Sequence, residues 1–89
     1  MIDRKDREII LAMAQKYHVS KVLLFGSSLS ESEEGRDIDI AIEGIADNDY
    51  FAFYGDLLCA LSKPVDVIDL SKKSKFVDMV LREGVRLDA

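Results

Sequence analysis

Two aspartates separated by one apolar residue, in Asp37-Ile38-Asp39-Ile40, constrain this chain more than any other feature. Acidic and apolar residues alternate there, so in a β-strand Asp37 and Asp39 share one face while Ile38 and Ile40 take the other. Their Cα atoms then lie about 6.6 Å apart, two rises of about 3.3 Å. Carboxylates at that spacing suit divalent ions set about 3.5–4 Å from each other. Without a cation they repel by about 4 kcal/mol at about 4 Å and an effective dielectric near 20, which makes a purely structural pair a poor use of two aspartates. Mg²⁺ reverses the sign, because it prefers hard oxygen ligands and commonly takes one or two carboxylates plus substrate phosphates.

Upstream, Val22-Leu23-Leu24-Phe25 is an apolar run that stops at Gly26-Ser27, as expected for a buried strand opening into a loop or helix start. Ser27 is placed to cap a short helix whose N-terminal amides hold a phosphate together with its hydroxyl, and Gly26 lets the ligand approach the backbone. A Gly-Ser pair alone is an ordinary strand-ending turn. The aspartate pair downstream turns it into a candidate phosphate cradle. The intervening Glu31, Glu33 and Glu34 read as a solvated loop.

With 89 residues the chain is expected to be one domain, 1–89, with room for one modest core and no second lobe. Cys59 is alone and His18 is the single histidine, so neither an internal disulfide nor a zinc set is available, and any metal is held by oxygen. A formal charge of −5 argues against gripping long nucleic acid and suits a basic partner. No apolar run has the length of a membrane span, and Met1-Ile2-Asp3-Arg4-Lys5-Asp6 lacks the apolar core of a signal peptide, so a cytoplasmic location is expected.

The remaining elements follow from periodicity. Residues 3–17 place Ile9, Ile10, Met13, Ala14 and Tyr17 at helical spacing, with Asp3 as N-cap and Asp6 imitating the second member of a capping box. His18 reads as a helix-end residue rather than a general base. A second helix is predicted over 47–62, with Tyr50, Phe51, Tyr54, Leu57, Leu58 and Leu61 as its core-facing stripe and Pro64 beyond its end. Val65-Asp66-Val67-Ile68-Asp69-Leu70 is a short strand interrupted by Asp66, and burying an unpaired carboxylate is expensive, so Asp66 is a candidate functional residue. Asp69 falls out of phase and reads as a turn or cap residue. A last helix over 73–83 carries Phe76, Val77, Val80 and Leu81, with Gly84 as its C′ residue and 85–87 as a tail able to add an edge strand.

This order, with Phe25-Gly26-Ser27, Asp37-Ile38-Asp39-Ile40, Val65-Asp66-Val67-Ile68-Asp69-Leu70 and Arg82-Glu83-Gly84, resembles the minimal nucleotidyltransferases of the DNA polymerase β-like superfamily over nearly the whole chain. The resemblance implies an α/β (α+β) fold, a small mixed β-sheet with helices packed on it. It implies that Asp37 and Asp39 bind Mg²⁺, two ions in all, and the nucleoside triphosphate. Asp66 would complete the metal site and help activate the acceptor, while Gly26 and Ser27 hold phosphate. Ser28 stands where relatives often carry arginine and Arg36 where they often carry serine, which leaves Arg36, Lys72 or Lys73 to supply a cation for the triphosphate.

With no second domain to hold an acceptor, another protein is expected to bring it. Small members of the family resemble antitoxins whose partner is a HEPN-type ribonuclease toxin, and the implied activity is transfer of AMP from ATP to that partner. The rival reading is a non-catalytic protein that masks its partner by binding alone. An intact set of Asp37, Asp39 and Asp66 favours the enzyme, because masking does not need all three. The geometry expected is convergence of these aspartates beside Ser27 on one side of the sheet. Homo-oligomerisation is left open by the sequence.

Overall fold

The computed structural model describes residues 2–26 and 37–88. Helix α1 (Arg4–Lys16) leads into strand β1 (Lys21–Leu24), followed by β2 (Ile38–Glu43), a short 3-10 turn (Asp47–Asp49), α2 (Tyr50–Ala60), β3 (Val65–Asp69), α3 (Lys75–Glu83) and β4 (Val85–Arg86). The strands form a four-stranded sheet in the order β3-β2-β1-β4. β1 runs antiparallel to β2 and to β4, whereas β2 and β3 are parallel, with α2 in the crossover between them. The expected mixed sheet with packed helices is therefore the observed architecture, and the 85–87 tail does add an edge strand.

Alternation sorts the sheet residues into two cores. Val22, Leu24, Ile38, Ile40, Ile42 and Val67 face α1 and α2, where Ile10, Phe53 and Leu57 are fully buried. Leu23, Phe25, Ala41 and Leu70 face α3 through Val77 and Val80. Among the described residues no helix is long and apolar enough to cross a membrane.

Several local expectations change in the folded chain. Asp3 holds the N-cap position of α1 without a side-chain cap bond. Asp6 is not a capping-box partner: it is 2% exposed and accepts hydrogen bonds from the Ser62 amide (3.1 Å) and the Ser62 hydroxyl. A buried carboxylate needs such partners, and here they tie the start of α1 to the segment after α2. Tyr17 does the same at the other end, donating to Asp56 Oδ2 at 2.6 Å and packing edge-on against Phe53. His18 takes a left-handed conformation, φ +59°, that ends the helix.

On α2 the stripe is narrower than its composition suggests. Phe53, which lay outside the expected stripe, joins Leu57 in the core, but Phe51 is 81% and Leu58 54% exposed. Nearly every residue of this helix is apolar, so composition alone does not mark its buried side. Helix α3 starts two residues later than expected, with Ser74 accepting from the Val77 amide, and its Phe76 and Leu81 are about half exposed. Gly84 is not a left-handed C′ residue, since its φ is −67°. Its value is space: a Cβ there would lie 2.7 Å from the Val80 carbonyl oxygen and 3.3 Å from Leu23.

Two pairs of measurements check this packing. In urea denaturation, Gly84→Ala should lower stability by about 1–3 kcal/mol through overpacking. Gly55→Ala in α2, where a Cβ meets nothing within 4 Å, should raise it by about 0.5–1 kcal/mol. The Tyr17 hydrogen bond, then Lys16, holds the Asp56 carboxyl below its ordinary value of 3.8. A depressed carboxylate stabilises the fold above that value and loses the contribution as the pH falls through the folded-state value. Tyr17→Phe should therefore lower Tm at pH 7, and its gap from wild type should narrow below pH 3.8.

Candidate active site

Strand pairing puts the candidate carboxylates on one face of the sheet. In the parallel register of β2 and β3, Asp39 lies opposite Asp66, and partners in such a pair direct their side chains to the same face. Asp37 precedes β2 by one residue and is in phase with Asp39. On the other flank of β2, the Phe25 amide donates to the Asp39 carbonyl oxygen at 3.1 Å. The chain then turns at Gly26, φ +60°. A row thus runs across three strands, from the Gly26 turn past Asp39 to Asp66. The carboxylates lie on the sheet face that carries α3.

Gly26 is required by its neighbour as well as by its backbone. A Cβ at this position would sit 2.7 Å from Asp39 Oδ2, so the turn and the carboxylate press against each other with no side chain between. Ser27, the second half of the expected cradle, lies outside the described residues, as do Ser28 and Arg36. Asp69 is the turn residue expected of it, accepting from the Ser71 amide (2.9 Å) and hydroxyl (2.7 Å). Lys72 follows the C-terminal end of β3, at the opposite end of that strand from Asp66 and away from Gly26.

Among the described residues no three metal-ligating side chains are drawn close enough to hold an ion by themselves. The donor set still suits Mg²⁺ chemically. All three candidates are hard carboxylate donors, two are register partners, and Mg²⁺ ordinarily completes its shell with water and substrate phosphate rather than with an all-protein cage.

The structure adds two tyrosines from α2 to this site. Tyr50 donates its hydroxyl to the Val67 carbonyl oxygen on the outer edge of β3. Tyr54, one turn later and edge-on to Tyr50 at 6.1 Å, is hydrogen-bonded to Asp66. Burial pushes its phenol above the ordinary value, and the charge of Asp66, hydrogen bonding to Asp66 and the charge of Asp37 push the same way. A phenol shifted upward keeps its proton at neutral pH and stays a donor. Both tyrosines also pack against the core, as their place in the helical stripe predicts. A phenol carries a polar tip on an apolar body, and that tip is the signal that distinguishes Tyr50 and Tyr54 from the leucines of the same helix.

A cleft of about 580 Å³ opens outside β3, between the start of α2 and the start of α3, with Tyr50, Phe51, Val67, Ile68, Asp69 and Lys72 among its walls. It begins one residue beyond Asp66 and runs away from Gly26.

Residues 7–88 match the family model described as polymerase beta, nucleotidyltransferase. Comparison with curated proteins gives no match. Among solved structures, the fold is similar to a crystal structure of a toxin-antitoxin with AMP-PNP, with a TM-score of 0.74, 25% identity, and coverage of 91% of this chain and 71% of that one. It is similar also to a chain in the structure of a tri-AMPylated Shewanella oneidensis HEPN toxin in complex with MNT antitoxin, with a TM-score of 0.69, 25% identity, and coverage of 92% of this chain and 68% of that one. The toxin-antitoxin MntA-HepT shares the fold at 22% identity and a TM-score of 0.72, over 96% of this chain and 71% of that one.

Gly26→Ala tests the geometry without reference to any reaction. The added methyl meets Asp39 and the left-handed backbone costs about 1–2 kcal/mol for an L-residue. Calorimetric titration with Mg²⁺ and AMP-PNP should show affinity at least about tenfold below wild type, one decade being about 1.4 kcal/mol. Equal affinity would remove Gly26 from the site.

Proposed function

This chain belongs to the polymerase beta nucleotidyltransferase family, and we propose from that premise that it is a Mg²⁺-dependent protein adenylyltransferase of the antitoxin kind. It moves AMP from ATP to a hydroxyl of a HEPN-type ribonuclease toxin and so neutralises it. The observation that carries this reading is the register that sets Asp39 opposite Asp66, with Gly26 against Asp39 on the other flank. The AMPylated HEPN toxin and the AMP-PNP complex among the similar structures support the choice of nucleotide and acceptor.

In this reading Asp37 and Asp39, with Asp66 completing the set, would hold Mg²⁺ beside the triphosphate. When bound, the metal neutralises the charge that develops on the attacking and leaving oxygens. Asp66 orients the acceptor hydroxyl and takes its proton as the new oxygen–phosphorus bond forms and pyrophosphate departs from the α-phosphorus. Gly26, with Ser27, lets phosphate oxygens approach the backbone at a place where a Cβ would press on Asp39. Tyr54 donates toward Asp66 and limits the directions its carboxylate takes. The remaining catalysis is positioning and electrostatics rather than covalent chemistry.

The test is transfer of label from α-labelled ATP, with Mg²⁺, to proteins of the native cell extract, comparing wild type with Asp39→Asn and running the other three nucleotides alongside. A labelled protein band that needs both Asp39 and Mg²⁺ is the expected result, with loss of about 10²-fold or more in the variant. No label from any nucleotide, together with a partner that co-purifies equally with wild type and Asp39→Asn, would overturn transfer in favour of masking by binding.

A further inference from the structure

The active-site row has a direction. Gly26 at the end of β1 lies on one flank of Asp39, and Asp66 on β3 lies on the other. In an in-line displacement the attacking and leaving oxygens sit on opposite sides of the reacting phosphorus. With the departing phosphates at the Gly26 turn, the acceptor must arrive from the Asp66 side, over the free edge of the sheet. That edge is where the 580 Å³ cleft opens.

Resting on the transfer reading above, we infer that this cleft is the docking groove of the acceptor protein, and that it takes an extended, positively charged segment lying along the edge of β3 with its hydroxyl carried to Asp66. Three features specify the occupant. Edge geometry is the first. The Ile38 amide bonds the Pro64 carbonyl and the Leu70 amide bonds the Ile42 carbonyl, so even-numbered residues of β3 face β2 while Val65, Val67 and Asp69 turn their backbone groups outward. Tyr50 takes the Val67 carbonyl, which leaves an edge that offers amide donors to an extended chain rather than a full ladder.

Charge is the second feature. The groove walls contain Asp47 and Asp69 against Lys72, Asp66 lies next along the strand, and the chain as a whole carries −5. A segment with lysine or arginine is attracted and an acidic one repelled. The third is an apolar anchor: Val67, Ile68 and Val77 line the groove beside Phe51, whose ring is 81% exposed and meets no core. Burial of an aromatic and of aliphatic side chains supplies the affinity that edge amides lack.

Two capped pentapeptides probe the groove in the intact chain, Ac-Lys-Val-Tyr-Val-Lys-NH2 and Ac-Glu-Val-Tyr-Val-Glu-NH2, titrated at low salt into ¹⁵N-labelled protein. The lysine peptide should shift the amides of Val67, Ile68, Asp69 and Lys72, and the glutamate peptide should bind about tenfold more weakly or worse. Phe51→Lys should weaken the lysine peptide by about tenfold through lost packing and added repulsion. Leu58→Lys, on the same helix but outside the groove, should leave it unchanged. Shifts elsewhere on the surface, equal binding of the two peptides, or no binding would overturn the groove. Mg²⁺ and AMP-PNP titrated alone report separately on the transfer reading. Nucleotide binding without peptide binding overturns the groove and leaves transfer intact, whereas peptide binding without nucleotide binding overturns transfer.

Discussion

The parallel pairing of β2 with β3 is the interaction on which the rest of the structure depends. Because side chains alternate with a period of two, a slip of one residue in this register would send Asp66 to the α1–α2 face and bring Val65 or Val67 beside Asp39. The fold guards the register from both faces. Ile38, Ile40, Val65 and Val67 are buried against α1 and α2, and Ala41 and Leu70 against α3. The apolar core thus specifies where the charged residues meet, although the charged residues contribute little to the core.

Helix α2 links that pairing to the outside of the molecule. As the crossover between two parallel strands it must lie along the sheet, and its Phe53 and Leu57 anchor it there. From that position its tyrosines reach round the edge strand, Tyr50 to the Val67 carbonyl and Tyr54 toward Asp66. An edge strand with open backbone groups invites unwanted pairing. The Tyr50 bond closes part of that edge and steadies the strand that carries Asp66. The same helix leaves Phe51 in solvent beside the cleft, so one element serves the core, the site and the surface with different residues of one apolar run.

The buried Asp6 plays a different part from the site aspartates. It is satisfied by the amide and hydroxyl of Ser62, close to where the chain leaves α2 for β3. Together with the Tyr17–Asp56 bond it pins both ends of α1 to the second half of α2 and the segment that follows it. The layer behind the sheet is therefore held by polar contacts at both ends and by apolar packing between them.

Much of this was legible in the residues alone. The strands, the helices and the shared face of Asp37 and Asp39 follow from periodicity, a local property of the backbone. The motif Gly26-Ser27 and Asp-x-Asp pointed to the nucleotidyltransferase family because the spacing reflects a strand, a turn and a second strand. What depended on the third dimension was of another kind. Periodicity could not orient α2, since an almost wholly apolar helix has no polar side to mark its exterior, and so it places Phe51 and Leu58 inward where the fold buries Phe53 instead. It could not foresee that Gly84 is needed for room against Val80 and Leu23 rather than for a positive φ, because the Leu23 side of that crowding comes from a strand some 60 residues earlier in the chain. Nor could it pair Tyr54 with Asp66 or open a cleft beside β3. The sequence by itself determined which residues could do chemistry, through their types and their local phase. Only the tertiary structure decided which of them meet, because that is set by strand register and helix crossover, and both depend on contacts between segments far apart in the chain.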